Sequence, residues 1–124
     1  MKECIVFDLD DTLLKDGVLI NMDIPQLLRD LKENGYILVI ASFNESAERY
    51  LKLNEIDHFF DLVVGFSDVD KIRHFTIIRD ALQVGFSNMH FFDDLYTNIN
   101  TIGQLGVNCY KVDPEVGVTY NMFE

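Results

Sequence analysis

The chain has no tryptophan, two prolines, two cysteines and ten basic residues against 21 acidic ones. Nowhere does it run apolar for the roughly 18 residues that a membrane helix needs. Each scarcity excludes something. So few prolines in a chain that is 48% hydrophobic leave disorder with little compositional basis. Cys4 and Cys109 lie inside apolar runs and form no CxxC or Cys/His metal spacing, so both are expected to pack as small hydrophobes. A net charge of −11 opposes counterion-release binding to DNA or RNA, which needs a basic face. The same charge repels anionic ligands unless something local reverses the field, most simply a divalent cation. Met1 to Glu3 lack the layout of a secretory signal, so no export is implied and a cytoplasmic location is expected.

What the 124 residues do contain is enough apolar material for one core, and residues 1–124 are expected to form a single domain. Apolar runs at Cys4 to Phe7, Ile37 to Ala41, Leu62 to Val64, Met89 to Phe92 and Val107 to Tyr110 are continuous, not alternating. That pattern suits strands covered on both faces. Between them, Ile24, Leu27, Leu28 and Leu31 keep helical spacing, with Asp23 as N-cap and Gly35 as a stop. Ala47, Tyr50 and Leu51 suggest a second helix after Asn44. Ile72, Phe75, Ile78 and Leu82 suggest a third ending at Gly85, and Leu95, Ile99 and Ile102 a fourth ending near Gly103 or Gly106. The alternation predicts an α/β three-layer sandwich around a central parallel sheet, with ligands at the carboxyl ends of the strands. The Asp-Gly pair in "LKDGVLIN" predicts a short hairpin over that edge. "HFFD" occurs at His58 to Asp61 and again at His90 to Asp93; the first copy precedes a strand and the second ends one, so only the second is read as functional.

Chemistry gathers at the strand ends. Asp8 and Asp10 stand two apart, so their side chains can leave one side of the chain roughly 6–7 Å from each other. Like charges at about 4 Å repel by about 4 kcal/mol at an effective dielectric near 20, and a magnesium ion bound by hard oxygens relieves this. A solvated acidic turn is the alternative. Asp93 and Asp94 end another expected strand, so two acidic strand ends converge at one edge. Asn98 falls in the next helix, either holding a carboxylate or lying on the helix surface. Ser42, at a strand end before a helix, suits either a phosphate or an ordinary cap. Lys71 at a helix start opposes the dipole; it pairs with Asp68 or Asp70, or points at a phosphoryl group. His58, His74 and His90 lack metal-ligand spacing and are assigned packing or surface roles.

The set "DLDDT", Ser42, Lys71 and "FFDD", in this order, resembles the four motifs of the haloacid dehalogenase superfamily. "KIRHF", "GFSNMHFFDDLYTNI" and "LGVNCYKV" are similar to the magnesium-dependent phosphatase family, whose small members have no cap domain. One helix and one strand nearly fill each interval, Thr12 to Ser42 and Ser42 to Lys71, leaving no room for an inserted lid. The resemblance implies Asp8 as the nucleophile of an aspartyl-phosphate mechanism and Asp10 as the acid and base. It implies Ser42 and Lys71 on the phosphoryl oxygens, with Leu9 and Phe43, the next residues in those motifs, counted as substrate-binding. Mg²⁺ is implied on Asp8, Asp93 and the Asp10 backbone carbonyl, with Asp94, Thr12 and Asn98 in support. Asp11 occupies the motif's variable position and is assigned no role. The chain departs from eukaryotic members in having no Trp after the nucleophile loop, and from some members in having Phe43 where they have Arg; both differences concern substrate contacts.

The function expected is therefore a magnesium-dependent phosphomonoesterase with an open site. Its substrate would be a phosphorylated small molecule or a phosphoprotein, with no nucleic acid or membrane partner. A non-catalytic phosphate or phosphoprotein binding module is the alternative, and a polynucleotide 3′-phosphatase is disfavoured by the acidic balance. The tail "VGVTYNMFE" is apolar enough to dock on the core or on another chain.

Overall fold

The computed structural model describes residues 3–124. Along the chain run β1 (Cys4–Phe7), the two-residue strands β2 (Leu14–Lys15) and β3 (Val18–Leu19), α1 (Ile24–Glu33), β4 (Ile37–Ser42), α2 (Ala47–Leu53) and β5 (Leu62–Gly65). Then come α3 (Ile72–Leu82), β6 (Met89–Asp93), α4 (Tyr96–Gly103) and β7 (Asn108–Lys111). Five strands form one sheet in the order β5-β4-β1-β6-β7, and every pairing in it is parallel.

Strand periodicity sorts the apolar runs into two cores. Ile5 and Phe7 of β1, Leu38 and Ile40 of β4 and Phe92 of β6 face α1 and α2. Cys4, Val6, Val39, Ala41 and Phe91 alternate with them and face Phe75 and Ile78 of α3 and Ile102 of α4. This is the expected three-layer sandwich, and the continuous hydrophobicity follows from burial on both faces. Fully buried side chains such as Phe7 and Leu28 each contribute on the order of 1.5–3 kcal/mol from area alone.

Local details differ from the sequence pattern at three helix ends. Asp23 holds the N-cap position of α1 but makes no side-chain cap bond; its own N–H donates to Asn21 Oδ1 at 3.0 Å. Helix α3 ends at Gln83 in the left-handed region (φ 55°), two residues before Gly85. Leu95 stays outside α4, extended and half exposed, because its N–H is held by Asp93 Oδ1 at 2.8 Å.

The β2-β3 hairpin turns through Asp16 (φ 51°) and Gly17 (φ 82°), two positive values of the kind a tight hairpin demands. It leans toward α2, where Asn54 Nδ2 donates to the Gly17 carbonyl at 2.9 Å. The tail docks on its own core. Val118 N–H donates to the Thr12 carbonyl at 3.0 Å, and the Phe123 ring stacks on Phe92 at 4.7 Å. Among the described residues, no helix is long and apolar enough to cross a membrane, and both cysteines are free.

Candidate active site

From β1 the chain builds outward through β4 and β5, then crosses back to place β6 and β7 on the other side of β1. The loops leaving β1 and β6 therefore diverge, and a crevice opens between them at their carboxyl ends. Register does the rest. Phe7 pairs with Phe92, and the Asp8 N–H donates to the Phe92 carbonyl at 3.0 Å, so Asp8 and Asp93 emerge at the same height.

Carboxylate oxygens of Asp8, Asp93 and Asp94 lie within 4.8 Å of one another. One cation sits among them: Lys71 Nζ donates to Asp8 Oδ1 at 2.8 Å and to Asp93 Oδ2 at 3.0 Å, at 1% side-chain exposure. Lys71 reaches inward from the start of α3, past Phe43 and Phe91, whose ring centroids are 5.2 and 5.4 Å from Nζ. The alternative pairing with Asp68 or Asp70 is not formed. Asp68 instead holds Arg73, and Asp70 accepts the Ile72 N–H. Asn98, buried in the first turn of α4, donates Nδ2 to Asp93 Oδ2 at 3.0 Å. It is a carboxylate holder, not a surface residue.

Ser42 ends β4 beside this group, almost fully buried, and its Oγ accepts the Asn44 N–H at 3.0 Å. Asp8, Asp94, Lys71, Asn98 and Ser42, with Phe43, line a cavity of about 200 Å³, while Asp93 is fully buried and is not part of its wall. Asp10 also lines it, but its exposed carboxylate stands outside the converging trio and meets Asn44 Nδ2 at 3.4 Å. Asp94, expected in support, stands inside the trio. Leu9 does not line the cavity: its side chain is in the core, and its carbonyl accepts the N–H groups of Thr12, Leu13 and Leu14. Thr12 is buried in the same turn, its Oγ1 without a partner among the described residues. Asp11 is left-handed (φ 64°), a conformation Asp tolerates better than most residues, which accounts for Asp at that variable position. No residue of the β2-β3 hairpin is among those lining the cavity.

Electrostatics follow from this crowding. Burial raises the Asp8 carboxyl well above its usual range; Lys71 opposes that shift, while Asp93 and a hydrogen bond shared with Asp94 add to it. Asp94 is raised as well, first by burial. Three acidic groups around one ammonium are short of positive charge, and hard oxygens at this spacing fit a divalent cation such as Mg²⁺.

Two residues of the site were not singled out by their sequence context. Asn44 is, by its sequence context, only a position before α2. His74 takes the packing role its context suggests, fully buried, but with contacts the sequence does not signal: Nε2 is 3.1 Å from the Ser42 carbonyl and 2.9 Å from that of Phe66. Its ring stacks on Phe66 at 3.9 Å, and burial lowers its pKa. A lone histidine three residues after a lysine carries no signal for either contact. A larger hollow of about 270 Å³ lies under the tail beside Phe92 and Phe123, away from the carboxylates.

Comparison with known proteins places this geometry. The profile of the Acid Phosphatase family matches residues 15–124. Human magnesium-dependent phosphatase 1 is 30% identical over 96 residues, covering 73% of this chain and 52% of that protein. The chain thus spans about half the length of this curated relative. Among solved structures, the N-terminal part of a Bacteroides fragilis protein, containing a phosphatase domain complexed with magnesium, superposes with a TM-score of 0.83 at 20% identity. That alignment covers 99% of this chain and 39% of the other. A haloacid dehalogenase family enzyme from Bacteroides thetaiotaomicron, solved with magnesium and inorganic phosphate, gives 0.78 at 11% identity over 99% of both chains. A haloacid dehalogenase-like hydrolase from Streptococcus pneumoniae gives 0.79 at 16% identity, covering 98% of this chain and 90% of that one.

Proposed function

We propose, from the premise that this chain belongs to the Acid Phosphatase family, that it is a magnesium-dependent phosphomonoesterase with an uncapped site, working through an aspartyl-phosphate in the cytoplasm. One observation carries the reading: the Asp8, Asp93 and Asp94 oxygens converge at the ends of β1 and β6, with the buried Lys71 ammonium bonded to two of the three.

Asp8, Asp93 and Asp94, with the Asp10 backbone carbonyl, are the groups that would hold Mg²⁺. Bound there, the cation would keep the carboxylates ionised and neutralise charge on the phosphoryl oxygens. In the first step an Asp8 oxygen attacks phosphorus, the bond to the ester oxygen breaks, and that oxygen takes the proton carried by Asp10. In the second, the Asp10 carboxylate takes a proton from water, whose oxygen attacks phosphorus and releases inorganic phosphate from Asp8. Lys71 and Ser42 hold the phosphoryl oxygens through both steps. The division of labour follows from placement. Asp8 is fixed by Lys71 within the trio, whereas Asp10 is exposed and outside it, on the wall of the cavity.

Relatives support the class of reaction: the human protein is named for magnesium-dependent phosphatase activity, and the Bacteroides thetaiotaomicron enzyme binds magnesium and inorganic phosphate. The test is turnover of p-nitrophenyl phosphate with and without Mg²⁺. Wild type is expected to release phosphate only with the metal, and Asp8→Asn to abolish release. Full activity in Asp8→Asn would exclude the nucleophile, and phosphate binding without turnover would favour a binding module.

A further inference from the structure

We propose that Asn44 is a positioning residue for proton transfer to the leaving group, its carboxamide holding the Asp10 carboxylate over the cavity. The assignment rests on the phosphomonoesterase reading above.

Three hydrogen bonds immobilise Asn44. Its N–H donates to Ser42 Oγ at 3.0 Å, its carbonyl accepts the Ala47 N–H at 3.1 Å, and its Oδ1 accepts the Ser46 N–H at 2.9 Å. The last of these fixes which way the amide faces. With Oδ1 committed to the entry of α2, the N–H₂ end points the other way, and Nδ2 stands 3.4 Å from Asp10 Oδ2. Among the described residues this is the one side-chain hydrogen bond to the Asp10 carboxylate. The separation is long for such a bond, as contacts to catalytic groups often are before substrate binds.

Close packing holds the loop in place. A Cβ at Gly65, on the neighbouring strand β5, would lie 2.7 Å from the Asn44 carbonyl oxygen and 3.1 Å from Ala47 Cβ, so the loop can approach only because residue 65 has no side chain. Asn44 also acts on Ser42: because Ser42 Oγ accepts the Asn44 N–H, the hydroxyl proton is left to donate to a phosphoryl oxygen. A single residue thus couples the strand that holds phosphate to the group that protonates the departing oxygen.

Protonation matters most when the leaving group is a poor one. A p-nitrophenolate departs with little help, whereas an alkoxide needs its proton in the transition state. The test compares kcat/KM for p-nitrophenyl phosphate and ethyl phosphate in wild type, Asn44→Ala and Asn44→Asp, with Mg²⁺ present. Asn44→Asp keeps an oxygen for the Ser46 N–H while removing the donor, so it separates the capping role from the positioning role. Both variants are expected to lose about ten- to a hundredfold more activity toward ethyl phosphate than toward p-nitrophenyl phosphate. Equal losses on the two substrates, or undiminished ethyl phosphate turnover in Asn44→Asp, would overturn the assignment while leaving the phosphatase reading intact. A wild type that hydrolyses neither ester would instead overturn that reading, and this one with it.

Discussion

Lys71 contributes an ammonium where three carboxyl groups would otherwise face each other, and it does so at 1% exposure. A buried cation is tolerated only where its donors are used, and here two are taken by Asp8 and Asp93. His74, one turn later on the same helix, contributes by staying neutral. Its Nε2 serves the carbonyls of Ser42 and Phe66, its Nδ1 is buried without a partner among the described residues, and a charge would sit close to Lys71. Because the folded pKa is lowered, the unfolded chain takes up the proton first as pH falls. The stability this residue lends is therefore complete above the ordinary histidine value near 6.5 and is lost as pH drops through it toward the folded value. Unfolding free energies from urea titrations between pH 8 and pH 5 should fall more steeply for wild type than for His74→Asn, by at most about 1.4 kcal/mol per pH unit. Parallel curves for the two proteins would remove His74 from this account.

Elements meet at the loop after β1, and their joints depend on small residues and backbone bonds. The tail crosses that loop at Gly117, whose φ is 78° and whose neighbours are Ile20 Cγ2 and the Thr12 carbonyl oxygen, the latter 2.8 Å from where a Cβ would stand. Two bonds from Asn21 Nδ2, to the carbonyls of Val116 at 3.0 Å and Val118 at 2.9 Å, tie the same stretch to the residues before α1. Gly117→Ala adds backbone strain and overpacking together, and should cost roughly 2–4 kcal/mol in chemical denaturation. Because Thr12 belongs to the turn that presents Asp8 and Asp10, the variant should also lose the proposed phosphatase activity at temperatures where it remains folded. Gly35, with a positive φ but nothing near its missing Cβ, makes a useful contrast: Gly35→Ala meets strain alone and should cost less.

At the scale of the whole molecule, a net charge of −11 concentrates three carboxyl groups at one end of the sheet. A cation bound there stabilises the folded state by mass action, roughly 2.7 kcal/mol at a hundred times its Kd. Thermal melting should therefore shift upward by several degrees with Mg²⁺ over a chelator control, and Asp93→Asn should shrink that shift. An equal shift in the variant would place the cation elsewhere. The alternation of strands and helices and the three-layer arrangement were legible in the chain because continuous apolar runs read as strands buried on both faces and helical spacing supplies the covering layers, whereas the strand order came only from the fold. The convergence of Asp8 and Asp93 was legible for the same reason, since each ends such a run. Asn44 and His74 were not, because their partners are a carboxylate 34 positions away and a carbonyl 32 positions away, and local spacing carries no trace of such pairs.

By itself, then, the order of residues determined the alternating α/β layers, the strand ends at which chemistry gathers and the residue types that fit a cation and a phosphate, since these follow from hydrophobic period and from charge. Only the tertiary structure decided that Lys71 turns inward to Asp8 and Asp93 rather than outward to its neighbours, that Asp94 joins the cluster while Asp10 stands apart beside Asn44, and that the tail closes on its own core. Those choices depend on the direction of side chains after folding. Direction is set by register, by backbone angles and by which hydrogen-bond partners remain available once the sheet has formed.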